Sequence, residues 1–235
     1  NTGISIEFES SLTNASNGQI DINNITNLDA IAIKDQFTSF NNQGVINIGN
    51  NSVIKRIGIF ISNLASVNNN ATGVINIDNI NGIGSTEGYG LFISNAGLTN
   101  SGVINIGTNF PIARYGINVS VGGTILNQSS ATLKINNVTN FDGIFLSGSG
   151  SNVTNNGIID IGNLLIVKSI GISMFASSSF TNNSTGSITI NNITNTSTSA
   201  GFGVYIGSST FTNIGSLNIG NVSSISNLGI FVASG

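Results

Sequence analysis

The stretch Gly44-Val45-Ile46-Asn47-Ile48-Gly49-Asn50 decides the fold, because it comes back. It returns as Gly73-Val74-Ile75-Asn76-Ile77, as Gly102-Val103-Ile104-Asn105-Ile106-Gly107 and, altered, as Gly157-Ile158-Ile159-Asp160-Ile161-Gly162. Successive side chains of a β-strand point to opposite faces, so the two inner isoleucines of each copy share one face. One such strand cannot bury that face alone. Many in register can.

Working outward, eight strands of this kind open at Gly18, Gly44, Gly73, Gly102, Ala131, Gly157, Gly186 and Gly215, in steps of 26 or 29 residues. The fourth residue after each opener is Ile in all eight, from Ile22 to Ile219. A second strand follows in each unit, opening at Ala30, Gly58, Gly90, Gly116, Gly143, Gly171, Gly203 and Gly229, again with one apolar face. A third, shorter element carries Leu12, Phe40, Val67, Leu98, Ile125, Val153, Phe180 or Phe211. Two positions later every unit has an asparagine: Asn14, Asn42, Asn69, Asn100, Asn127, Asn155, Asn182 and Asn213. Stacked Asn amides can bond coil to coil, and this column is assigned the role of a structural ladder.

The spacings inside the units recur after four. Gly18 to Ala131, Gly44 to Gly157, Gly73 to Gly186 and Gly102 to Gly215 are each 113 positions. The chain therefore reads as copies 1–113 and 114–226 with a partial third, 227–235. Repeats of this length stack, each burying the face of the next. The expected architecture is all-β: one single-domain parallel β-solenoid over residues 1–235, about eight coils of 26–29 residues, with right-handed crossovers. At about 4.8 Å per coil the rod would be roughly 40 Å long. Six positions after the opener stands Asn in seven coils, with Thr108 the exception. The position before it alternates Asn23, Gly49, Asp78, Gly107, Asn136, Gly162, Asn191, Gly220. That two-coil alternation calls for a turn-shape requirement.

Composition narrows the function. Six basic and nine acidic residues give a net charge of −3, too sparse for a basic patch, so nucleic acid is excluded as a partner. There is no Cys and no His, which removes disulfides, thiolate metal sites and the usual general base. No apolar run of about 18 residues is present, so membrane insertion by a helix is not expected. No catalytic, metal or cofactor-binding residue is assigned. Asp29 and Asp142 are repeat mates, too far apart along the rod to act together, and read as turn caps. The chain starts at Asn1 without Met or a signal-like segment, as a processed product or a piece of something longer would.

Units such as Leu98-Thr99-Asn100-Ser101-Gly102-Val103-Ile104-Asn105-Ile106 and Val153-Thr154-Asn155-Asn156-Gly157-Ile158-Ile159-Asp160-Ile161 resemble the β-helical repeats of large bacterial surface proteins. These are adhesins and autotransporter-like passengers, especially Asn-rich, Cys-free ones. The resemblance implies an extracellular, cell-surface rod or adhesive stalk, and carries over no functional residue.

One column breaks the pattern. Phe60, Phe92, Phe145, Tyr205 and Phe231 stand where alternation predicts solvent, with Ala32, Asn118 and Ser173 between them. Either longer loops cover these rings, or the stripe contacts a neighbouring rod, a partner protein or the sugar rings of a host or environmental glycan. Self-association is a further expectation, side by side or end to end, the latter by pairing Gly3-Ile4-Ser5-Ile6 with Gly229-Ile230-Phe231-Val232 of another copy. The reading is a non-enzymatic structural or adhesive rod segment of a secreted protein. A carbohydrate-binding or carbohydrate-active β-helix is the alternative.

Overall fold

A computed structural model describes residues 2–82, 87–195 and 201–233. Their strands form three long sheets, each strand hydrogen-bonded in parallel to its equivalents one coil away. Sheet 1 holds the eight strands from Gln19–Ile22 to Ser216–Ile219; sheet 2 holds nine, from Ile4–Ile6 to Ile230–Ala233; sheet 3 holds eight, from Ser11–Asn14 to Thr210–Asn213. The chain is a parallel β-solenoid of about eight coils. Every column read from the sequence is a column of register partners, for example Ile46 with Ile75, Ile59 with Leu91, and Leu98 with Ile125. One apolar core runs from Ile6 to Val204, with Ile46, Ile48, Ile75, Ile77, Ile159 and Ile161 fully buried.

A fourth line of contacts closes the corner between sheets 1 and 2. Parallel bridges join Ile54 to Ile80, Ile80 to Ile112, Ile112 to Val138, Val138 to Val167, and Ile193 to Ile225, while Val167–Lys168 pairs with Ile193–Thr194. Most of these residues are buried. The sequence reading missed this column because its offset from the opener switches between seven and ten residues in successive coils.

That switch explains the two-coil alternation. In one kind of coil the corner turns on a left-handed Asn: Asn24, Asn79, Asn137 and Asn192 have φ of 56°, 55°, 51° and 50°. In the other kind it turns one residue earlier on a left-handed Gly, with Gly49, Gly107, Gly162 and Gly220 at 73°, 69°, 71° and 74°, and three more residues follow before the corner closes. A side chain from the Asn-type coil below satisfies the wider corner. Asn23 accepts from the Asn51 N–H at 2.9 Å, Asp78 from Asn109 N–H at 3.0 Å, Asn136 from Leu164 N–H at 3.0 Å and Asn191 from Val222 N–H at 3.1 Å. Glycine is required for a second reason: a Cβ at Gly49, Gly107 or Gly162 would be driven into the carbonyl oxygen of Asp78, Asn136 or Asn191 in the next coil.

The openers of sheet 2 also depart from simple alternation. A Cβ at Gly58 would meet the Ile77 side chain and the Gly90 carbonyl oxygen, both at 2.6 Å, so the glycine faces inward as the following Ile59 does. Two successive inward residues place the residue before the glycine on the outer face, beside the aromatic column.

Candidate functional site

Seven hydrogen bonds link the eight column asparagines end to end. Each Nδ2 donates to the Oδ1 of the next coil, from Asn14 to Asn42 and on to Asn213, at 2.7–2.9 Å. Each donating amide also reaches a strand carbonyl of sheet 1, from Val45 to Ser216, at 3.0–3.4 Å. Asn42 through Asn182 in this column are 1% exposed or less. A buried amide is costly unless paired, and here both protons and the oxygen are used, so the ladder ties sheet 3 to sheet 1 as well as coil to coil. A second, outer ladder runs the other way on sheet 1: Asn105 donates to Asn76, Asn76 to Asn47, and Asn47 to Asp21, at 2.9, 2.8 and 2.7 Å. Hydrogen bonds from Asn47 and Gln19 hold the Asp21 carboxyl below its ordinary range.

The aromatic stripe lies on the outer face of sheet 2. Phe60, Phe92, Phe145, Tyr205 and Phe231 are all half-buried. They bury one another together with rings that the sequence reading left out. Phe60 stacks on Phe92 at 5.4 Å, Tyr89 on Tyr115 at 5.7 Å, and Phe145 meets Tyr115 at 4.8 Å. Phe175 bridges Phe145 and Tyr205 at 5.7 and 5.1 Å, and Phe202 joins Tyr205 to Phe231. Where the column itself offers Asn118 or Ser173, Tyr115 or Phe175 of the same coil supplies the ring. The missing signal was the inward glycine, which puts Tyr89, Tyr115 and Phe202 on this face.

Cations and buried carboxylates flank the rings. Lys34 lies 5.9 Å from the centre of Phe60. The Arg114 guanidinium is 5.4, 5.2 and 5.0 Å from the centres of Tyr89, Tyr115 and Phe141, and donates to Tyr89 Oη at 2.8 Å. Arg56 bridges Asp29 at 3.4 Å and Glu87 at 2.7 Å. Asp29 and Asp142 are 3% and 5% exposed, and burial pushes each carboxyl up to about 6, against the pull of Arg56 on Asp29 and of Ser173 on Asp142. Ser173 Oγ donates to Asp142 Oδ2 at 2.6 Å. Burial likewise pushes the Tyr115 hydroxyl up to about 12. The two aspartates sit in different coils of the rod, each with its own partners.

No family model matches the chain, and no curated protein matches it. Among solved structures, the TibC-catalysed hyper-glycosylated TibA55-350 fragment aligns with 97% of this chain and all of its own, at 13% identity and a TM-score of 0.23. A score that low adds nothing to what the sheets already establish.

Proposed function

We propose that the chain is a non-enzymatic structural and adhesive rod segment of a secreted bacterial cell-surface protein. The observation that carries this reading is the unbroken axial bonding: three parallel sheets, a corner column and the seven-link Asn ladder all run along one axis. Polar side chains hold coil to coil, as a stiff spacer needs. Beads coated with the chain, offered to cells and to a glycan array, test it. Adhesion without release of new reducing ends is the expected result, and hydrolysis of any bound glycan would overturn it.

The carbohydrate-binding reading has an observation of its own in the outer face of sheet 2, where half-buried rings lie together with Arg114, an arginine with no carboxylate partner among the described residues. Flat aromatic faces and fixed donors are what sugar rings stack on.

Self-association end to end meets a register constraint. Residues 1–9 and 227–235 are the same part of the 113-residue period. A second copy continuing the period would set Gln19–Ile22 after Ser216–Ile219 and Ser11–Asn14 after Thr210–Asn213. Its Ile4–Ile6 would then fall in the place held by Ile230–Ala233. Stacking in all three sheets requires one of those two strands to yield, so direct pairing of one on the other is not the in-phase arrangement. Removing residues 229–235 should therefore promote end-to-end assembly, read by sedimentation. Equal behaviour of the full and shortened chains would remove the idea.

A further inference from the structure

The geometry points to a subsite for a carboxylate-bearing pyranose, an acidic sugar, in the recess beside Arg114; the inference rests on the carbohydrate-binding reading and gives it a place and a ligand class. The recess holds about 280 Å³ and is lined by Asn81, Glu87, Ala113, Arg114, Asn140 and Phe141. Ligand pockets span roughly 300–1,000 Å³, so this one suits a single ring.

Arg114 has every feature of a cation waiting for an anion. Three ring faces hold its guanidinium, and its side-chain hydrogen bonds go to the phenol oxygens of Tyr89, at 2.8 Å, and Tyr115, neither of which carries a charge to match it. Its Nε is buried and without a partner, an uncompensated donor of the kind that folded proteins rarely keep. Among the described residues, which include all nine acids of the chain, no carboxylate lies within ion-pair distance of it. A guanidinium fork pairs with a carboxylate through two parallel hydrogen bonds. Glu87, also in the recess, is held by Arg56 at 2.7 Å and can accept from sugar hydroxyls. Phe141, 39% exposed, offers a ring for the C–H face of a pyranose. Asn140 donates its amide to the Ala113 carbonyl at 2.6 Å, which fixes the side chain.

The internal repeat supplies a comparison. Positions that close the coil recur after 113 residues, as Asn140 does with Asn27. The recess does not recur: Arg114 and Tyr115 correspond to Asn227 and Leu228, and Phe141 to Leu28. The solenoid is built at those places without the arginine or these two rings, so the coil geometry alone does not require them.

Calorimetric titration of the chain with a galacturonate trisaccharide and with the neutral galactose trisaccharide tests the proposal. The acidic sugar should bind at least tenfold more tightly, and more weakly as salt rises. Arg114→Asn, which installs the residue of the repeat mate, should reduce that affinity at least tenfold with the melting transition retained. Phe141→Ser should weaken it on the same folded background. Equal affinities, unchanged binding by Arg114→Asn, or no binding would overturn the subsite. Neutral glycans bound independently of Arg114 would leave the broader carbohydrate reading standing while removing this site. If no glycan on an array binds, both fall.

Discussion

At the scale of single residues, the chain separates amides that bond from amides that decorate. Asn100 accepts from Asn69 and donates to Asn127 and to the Thr132 carbonyl, all in a buried line. Asn100→Ala orphans groups on both sides and should cost about 2–4 kcal/mol, a donor or acceptor left buried being worth roughly 1–3 kcal/mol. Asn213→Ala, at the exposed last rung, should cost well under half as much in the same denaturant titration. The buried aspartates set a pH dependence. Asp142 and Asp29 titrate near 6 in the fold against an ordinary 3.8, so the native state holds protons that the unfolded chain has released. Stability therefore falls as pH rises from about 4 to about 6 and is greatest below that window, for these groups. Hydrogen bonds hold Glu7 and Asp21 below their ordinary values, so they act in the opposite sense at more acidic pH. Melting temperatures measured from pH 4 to pH 7 should decline, and Asp142→Asn, which keeps an acceptor for Ser173, should flatten the slope. The Asn column was legible from spacing alone. The orphan Nε of Arg114 was not, because nothing in a sequence states where an arginine lies down.

At the scale of the element, the corner turns separate steric from conformational demands on glycine. Gly107 and Gly220 are both left-handed, but a Cβ at Gly107 would enter the Asn136 carbonyl of the next coil, whereas Gly220 has nothing nearer than 3.4 Å. Gly220→Ala should cost only the left-handed penalty, about 1–2 kcal/mol. Gly107→Ala should cost clearly more in equilibrium unfolding, because backbone in two coils must separate. Equal costs would mean that the stacking of carbonyl over glycine is not what selects the residue. The alternation of Gly with Asn or Asp was visible in the sequence. Its cause was not, because it depends on a side chain of one coil capping the amides of the next. The aromatic face shows the same limit: period-two reading found Phe60, Phe92, Phe145, Tyr205 and Phe231 but lost Tyr89, Tyr115 and Phe202, which an inward glycine carries to the same side.

At the scale of the molecule, a solenoid couples only neighbours, and its stability is close to a sum of coil and interface contributions. The coils at the two ends of the described chain have one neighbour each. Ile230 and Val232, on the apolar side of their strand, are 48% and 67% exposed, whereas their register partners Val204 and Ile206 are buried and half-buried. In the isolated 235-residue chain, backbone amides of Ser216–Ile219 should therefore exchange faster than those of Val103–Ile106, in a gradient from the ends to the middle. The three-sheet solenoid was readable, though not its corner column, because one core must be fed by every coil, which forces the same residues into the same columns. Ligand chemistry was not, because it lies where the repeat is broken. The most direct test of the account is side-chain hydrogen exchange of the asparagine amides by nuclear magnetic resonance. Asn42, Asn69, Asn100, Asn127, Asn155 and Asn182 should form one set of strongly protected Nδ2 groups, while an exposed amide such as that of Asn27 exchanges at the rate of a free solvent-facing group. Uniform fast exchange across all of them would contradict a rod held together along its axis by a buried amide ladder.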